Sequence, residues 1–381
     1  MTKYLKKFEN HSLYTAFTQT ADFVKPNVSL CEQENEVHYN PSVDYLICTY
    51  SVTADSKSVK IYNMNNPPYE FDIIPIGVEM FNSIEIDGTL VDISELDSNN
   101  GKYTLQNGEH TVLFELKDPT ILPDAAFYQC TDLSSMQLPK KLKSIGRYAV
   151  YNNQNCLIES IPSNVESIGY YAFFGTGRNV ITPDEYGVVY IGSYLNFVTD
   201  RTKTYYEVKQ GTKWIGAQAF DDIQNETNNA EIIVPFGVEI IDPYAFSTTS
   251  NETTHKTTSI QMTLPNTVKE LRHSAFSNYS GENAELTLNE GIKFIGWSCF
   301  DQADLTELTI PSTIETIENN AFERMYYLNV LTILATTPPQ CGENLLRNSK
   351  STCIIKVPSQ SVDAYKAAEG WSTYANQIQA I

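Results

Sequence analysis

From about residue 119 onward the apolar positions keep neither the 3.6-residue period of a helix nor a plain strand alternation. They return instead in a thirteen-residue block. Residues 138–150 and 161–173 both take the form apolar-Pro-x-x-Val-x-x-Ile-Gly-x-x-Ala-Phe, with conservative replacements. The block recurs at 234–246, 264–276 and 310–322, and without its proline at 208–220 and 288–300; residues 122–127 supply an opening half. Its last positions fall at 127, 150, 173, 220, 246, 276, 300 and 322, which gives steps of 23, 23, 47, 26, 30, 24 and 22. A pattern of this length repeated so often marks a stacked-repeat architecture. The long step holds 186–195, Tyr-Gly-Val-Val-Tyr-Ile-Gly-Ser-Tyr-Leu, which predicts an inserted β-hairpin.

The block has a physical reading. Before the proline the chain alternates, as in Leu305-Thr306-Glu307-Leu308-Thr309-Ile310, and such alternation predicts a short strand with one buried face. Proline cannot donate to a ladder, so it ends the strand and begins a turn. The isoleucine and the Ala-Phe pair then point inward. One coil cannot bury its own apolar face, so coils must stack. The fold class is therefore mostly β, a solenoid with short helical turns.

Outside the repeats, residues 42–118 alternate with period two and read as a small antiparallel β-domain, in which Asn107-Gly108 predicts a hairpin turn. Residues 1–41 lack a clear period and read as an N-terminal arm or adaptor. The solenoid then spans 119–334, with the insertion near 180–206. Residues 335–381 read as a C-terminal cap: a last strand at 354–357, Ser361 as a helix N-cap with Asp363 in the first turn, and Gly370 at the helix end. Trp371, Tyr374 and Ile378 would cover the open end of the core.

Charge narrows the partners. Lys and Arg number 26 against 46 Asp and Glu, a net −20. Such a surface repels phosphate backbones and anionic headgroups, which argues against nucleic acid and leaves a basic protein patch, a neutral glycan or bound divalent cations. No apolar run approaches the ~18 residues of a membrane span. Residues 1–10 lack the apolar core of a secretory leader. Seven scattered cysteines include no close pair of the zinc or redox type and read as buried thiols, with Cys341–Cys353 as the one disulfide to test.

Reactive chemistry is sparse. The five histidines lie in different segments with no nucleophile pattern beside them, so no catalytic residue is assigned. Gly175-Thr176-Gly177 follows a repeat phenylalanine rather than a strand and is no phosphate loop. Cys130 and Cys299 occupy core positions of their repeats. Glu85 and Asp87, with Asp92, Glu95 and Asp97, have a calcium reading but no EF-hand spacing, and solvated loops are the simpler one. No cofactor or metal is assigned.

With the unit defined, its Leu-x-x-Leu-x-Ile-Pro-x-x-Val-x-x-Ile-Gly-x-x-Ala-Phe form resembles the BspA-type leucine-rich repeats of bacterial surface proteins. The ending 357–366 and the approach 108–120 resemble that family too, so the likeness covers about 84–381. It implies a leucine-rich-repeat solenoid, adhesion to host proteins or cell surfaces, and a cell-surface or extracellular location. Lys209 and Asn289, where the proline is missing, depart from the pattern. The stretch from Pro26 to Pro41 resembles adaptor segments of phage-like proteins. That implies the alternative: a structural or receptor-binding component of a virion or assembly, anchored by its N-terminal segment.

Alternation also places the candidate ligand surface. Thr263, Thr287, Thr309 and Thr332 form one outward column and Gln261, Glu285 and Glu307 the next; Tyr205, Glu207, Glu231 and Ile233 extend them toward the inserted hairpin. Solenoids bind along such surfaces. Threonine is also simply a good exposed strand residue.

Overall fold

The computed structural model describes residues 40–64, 80–223, 229–248, 259–279 and 285–381. The chain divides into two compact units, Met1–Ile181 and Thr182–Ile381. Nearly all of the expected arm at 1–41 lies outside the described residues, as do His11, Cys31, His38, His255 and the side chain of Asp97.

The first unit opens on an antiparallel sheet. Strands β1 (Leu46–Lys60), β2 (Phe81–Ile86), β3 (Thr89–Leu90) and β4 (Lys102–Leu116) lie in the order β3-β2-β4-β1, and β6 (Leu133–Gln137) joins as the fifth. Because β6 is the long strand of the first coil, this sheet runs directly into the repeats. The strands β1 and β4 pair from Leu46↔Phe114 to Lys60↔Lys102. Asn107-Gly108 therefore lies inside a strand, and the hairpin expected there does not form. Gly108, at φ 137°, sits opposite Val52, where the register shifts, and absorbs the bulge. The two-residue turn falls at Asp87-Gly88 between β2 and β3, with φ 48° and 84°. Both angles are positive, as the primed hairpin turns require, and Asp-Gly tolerates them. The Asp87 carboxylate accepts from Thr111 N at 2.9 Å and pairs with His110 Nδ1 at 2.6 Å. Asp92 instead accepts from Ser94 N at 2.9 Å beside helix α1 (Ile93–Ser98).

Each coil adds a short strand to a parallel ladder, two residues long except at β10. In the first unit these are β5 (Ile121–Leu122), β7 (Ser144–Ile145) and β8 (Ser167–Ile168). In the second they are β10 (Tyr194–Val198), β12 (Trp214–Ile215), β14 (Ile240–Ile241), β16 (Glu270–Leu271), β18 (Phe294–Ile295), β20 (Thr316–Ile317) and β22 (Gln340–Cys341). The inserted hairpin is present as β9 (Val188–Ile191) antiparallel to β10, whose Tyr194 and Leu195 also pair with β12 as an ordinary coil strand. Longer strands form two further parallel sheets. One is β11 (Tyr205–Glu207), β13 (Asn229–Ile233), β15 (Ser259–Leu264) and β17 (Glu285–Leu288); the other is β19 (Glu307–Ile310), β21 (Val330–Ile333), β23 (Ile354–Val357) and β24 (Ile378–Ala380).

The repeat phenylalanines make the core. Phe220, Phe246, Phe276, Phe300 and Phe322 are fully buried and stack with centroids 5.3–5.7 Å apart, the planes 11–18° from parallel. The repeat glycine serves close approach: a Cβ on Gly169 would overlap the backbone nitrogen of Arg147 in the preceding coil. The turn around each phenylalanine is closed by coil-to-coil hydrogen bonds. Tyr148 N, Val150 N and Asn152 N donate to Tyr170 O, Ala172 O and Phe174 O at 3.2, 2.8 and 2.7 Å. Ser274, Phe276 and Asn278 repeat this with Trp297, Cys299 and Asp301 at 2.9, 2.9 and 2.7 Å. Residues two before and two after the anchor lie in the left-handed region, as at Tyr148 (φ 54°), Asn152 (56°), Ser274 (53°) and Asn278 (54°). That conformation costs a non-glycine residue about 1–2 kcal/mol, and the completed ladder offsets it.

The cap differs from expectation in detail. Helix α2 (Val362–Ala367) follows Ser361, but the Ser361 hydroxyl donates to Thr336 O at 2.7 Å instead of capping the helix. That carbonyl, freed by the Pro-Pro break, captures it. Gly370 (φ 77°) opens a 3₁₀ turn, Trp371–Tyr374, and the C-cap of α2 is Ala368. Trp371 and Ile378 are buried and Tyr374 half-buried against the core. Cys341 and Cys353 are free thiols. They belong to different ladders, Cys341 in β22 and Cys353 beside β23, so the disulfide is not made. Burial pushes the thiols of Cys130 and Cys341 up to about 12 and that of Cys353 up to about 11.

Candidate binding surface

The long-strand sheet of the second unit carries the expected columns. Tyr205, Glu231, Gln261 and Glu285 are register partners across β11, β13, β15 and β17, and Glu207, Ile233, Thr263 and Thr287 form the next row. All eight are exposed, whereas Tyr206, Ile232 and Met262 between them are buried. Alternation explains this: successive side chains leave opposite faces of a strand.

Beyond β17 the columns change. No ladder joins β17 to β19, so Thr287 and Thr309 are not register partners, and the expected continuous columns form two patches. Glu285 and Glu307 occupy equivalent positions on either side of this break, and like charges oppose close pairing there. In the second patch Thr309 pairs with Thr332, which is half-buried, and then with Lys356; Glu307 pairs with Val330 rather than another polar residue.

At the hairpin end the surface is better organised. The Tyr186 and Tyr205 hydroxyls both lie 3.3 Å from Glu207 Oε2, and their rings meet edge-on at 5.8 Å. Glu207 is thus held in one orientation by two phenols, while Tyr190 accepts from Lys209 N at 2.9 Å. Tyr186 and Tyr190 were legible only as part of a hairpin, not as part of a surface.

The turn ladders carry chemistry that the repeat pattern did not signal. In the second unit Asp242 and Arg272 stand where other coils have the glycine. The Asp242 carboxylate, fully buried, accepts from Arg272 Nη1 at 2.8 Å and from the Tyr194 hydroxyl at 2.9 Å. Burial pushes its pKa up to about 6, against the opposing pull of Arg272 and Tyr194. His273, packed between Tyr244 and Trp297, is pushed down to about 4 by burial and by the charge of Arg272. Farther along, Arg324 Nε donates to Asp301 at 2.8 Å and Arg347 Nη2 lies 2.6 Å from Glu323. Among the described residues no three His, Cys, Asp or Glu side chains converge as a metal site, and no helix is long and apolar enough to cross a membrane.

The profile of the BspA type leucine-rich repeat region matches this sequence in six copies over residues 101–222 and 253–366, well over half of the chain. The chain belongs to that family. Its BspA-type coils are similar to those of a leucine-rich repeat protein from Bacteroides ovatus, at 16% identity and a TM-score of 0.30 over 69% of this chain and 75% of that one. A leucine-rich cell surface protein from Faecalibacterium prausnitzii matches at 16% identity and a TM-score of 0.28, over 69% of this chain and 56% of its own. The pneumococcal vaccine antigen PcpA matches at 14% identity and a TM-score of 0.30, over 65% of this chain and 66% of its own. No curated protein matches the sequence.

Proposed function

We propose that this BspA-type chain is a non-catalytic recognition protein, displayed at a cell surface, whose long-strand sheet meets a basic protein ligand. The observation that carries the reading is the register of exposed Tyr205, Glu231, Gln261 and Glu285 on four consecutive coils, with Glu207 fixed beside them. Glu231 and Glu285 lie two strands apart with Gln261 between them, and a cationic partner laid across the strands meets both carboxylates. The net charge of −20 adds long-range steering toward such a partner. Family membership supports a binding scaffold and names no partner.

The experiment is capture of a protein ligand on the full chain, followed by affinity measurements from low to high salt. Binding should weaken as the Debye length falls from roughly 10 Å at 0.1 M toward 3 Å at 1 M. A Glu231→Gln, Glu285→Gln double variant should bind more weakly at low salt and show a flatter salt dependence. Equal affinity and equal slope in variant and parent would place recognition elsewhere.

A further inference from the structure

The turn segments of the first unit carry stacked aromatic columns, whereas those of the second carry the row Tyr244, His273 and Trp297 and no aromatic residue directly after the anchor. The residue after the anchor is Tyr128, Tyr151 and Phe174 on the three successive coils, and their rings form a column. Tyr128 and Tyr151 stack at 5.0 Å and 16°, Tyr151 and Phe174 at 5.4 Å and 21°. A second column, two residues before the anchor, stacks Tyr148 on Tyr171 at 5.3 Å and 12°. Tyr170 meets Tyr148 edge-on at 5.6 Å. Tyr128 is buried and the other rings are half-buried.

The fold does not require aromatic residues there. In the second unit the residue after the anchor is Ser247, Ser277, Asp301 or Glu323, and the backbone ladder closes in the same way. The solenoid core lies on the opposite side of these turns, filled by Phe127, Val150 and Phe173. Moreover, Tyr148 and Tyr171 sit in the left-handed region, where a large side chain gains nothing locally. What the columns add is surface. Ring-on-ring stacking occupies the faces, so the side of each column offers ring edges and phenolic hydroxyls, one set per coil.

The surroundings are mostly polar amides; Lys60 Nζ, 5.8 Å from the Tyr128 ring centroid, is held by Tyr128 O at 2.7 Å. Gln154 Nε2 donates to Asn152 Oδ1 at 3.0 Å and Asn179 Nδ2 to Asn155 Oδ1 at 2.9 Å. The ionic pair at this face is closed on itself: Arg147 Nε donates to Asp124 at 2.9 Å, and Arg147 Nη1 donates to the Tyr170 hydroxyl at 3.1 Å. Tyrosine offers an apolar body with a hydrogen-bonding tip, and amides offer both donors and acceptors. That combination suits a ligand with hydroxyls on every residue, apolar C–H patches and no charge. A protein partner of the acidic chain would be drawn by carboxylates, which this face neutralises.

We propose that the tyrosine columns of the first unit bind a neutral polysaccharide, laid along the coils so that successive sugars meet successive phenols. The site uses none of the residues invoked for the long-strand sheet, and either reading survives the failure of the other.

The test is affinity electrophoresis of the full chain through gels holding starch, a β-glucan, a xylan or a mannan, followed by titration of the retarding polysaccharide's hexasaccharide. At least one gel should retard the parent chain. The Tyr151→Ser, Phe174→Ser double variant copies the serines of the second unit, so it should melt as a folded protein while losing about tenfold or more in affinity. Tyr151→Phe keeps the stack and removes one hydroxyl, and should lose less. Glu231→Gln, Glu285→Gln should bind as the parent does. The proposal is overturned if none of the four polysaccharides retards the chain, if the folded serine variant binds unchanged, or if the tyrosine variants abolish capture of a protein while no sugar binds.

Discussion

The turn ladders of the two units share one backbone and differ in what they carry. Each donates the same three N–H groups to the next coil and each bends through the same two left-handed residues. The first unit carries stacked tyrosines there; the second carries buried serines, the rings of Tyr244, His273 and Trp297, and ion pairs such as Asp301–Arg324 and Glu323–Arg347. The coil is therefore specified by its inward residues and its hydrogen bonds. Outward side chains are left to chemistry.

The comparison breaks if inward residues prove as replaceable as outward ones. Phe246→Ala or Phe276→Ala should destabilise by roughly 3–5 kcal/mol, the usual range for a buried phenylalanine, read as a loss of chemical-denaturation midpoint. Next in size is the buried pair. Arg272→Ala leaves Asp242 uncompensated inside the protein and should cost about 3 kcal/mol or more. Arg147→Ala acts on a partly exposed pair of the first unit and should cost about 1 kcal/mol or less.

Acidity sharpens the contrast, because the second unit buries His273 and Asp242 in its turns. His273 has its folded pKa below the free value of about 6.5, so the unfolded chain takes up the proton first. Its contribution is complete above about pH 6.5 and is lost as pH falls toward 4. Asp242 has the opposite sign: with a folded pKa near 6, raised from 3.8, it favours the folded state as pH falls from 6 toward 4. The two slopes oppose each other in the parent. His273→Gln should therefore melt less acid-sensitively than the parent, and Asp242→Asn more so, in thermal scans from pH 4 to 7. Parallel melting profiles for all three chains would remove both groups from the account. The smallest effects belong to the less buried positions: Tyr151→Ser and Thr287→Ala should each shift stability by about 1 kcal/mol or less.

The coils, their anchors, the inserted hairpin and the capping role of Trp371 and Ile378 were legible because each rests on a period or on an apolar residue with one place to go. The exposed rows from Tyr205 to Thr287 followed from alternation alone. Three features did not. The break between β17 and β19 depends on whether two strands meet, which alternation within each strand leaves open. The Asn107-Gly108 turn was outweighed by twelve register pairs between β1 and β4. The tyrosine columns did not follow from the repeat, because Tyr128, Tyr148, Tyr151 and Tyr171 lie at positions that the repeat pattern leaves open.

Tyr374 has a consequence for how such a chain changes length. In every coil from Val150 to Phe322 for which the bond is described, the anchor's N–H finds a carbonyl of the coil that follows. Leu346 holds the last anchor position, and its N–H donates to the Tyr374 hydroxyl at 3.1 Å. One phenolic oxygen thus stands in for a coil that is not there. The terminator reads only the generic N–H of whatever precedes it, so duplicating or deleting a whole repeat by recombination leaves it able to work. The number of coils then becomes a heritable variable that can drift without any redesign of the cap.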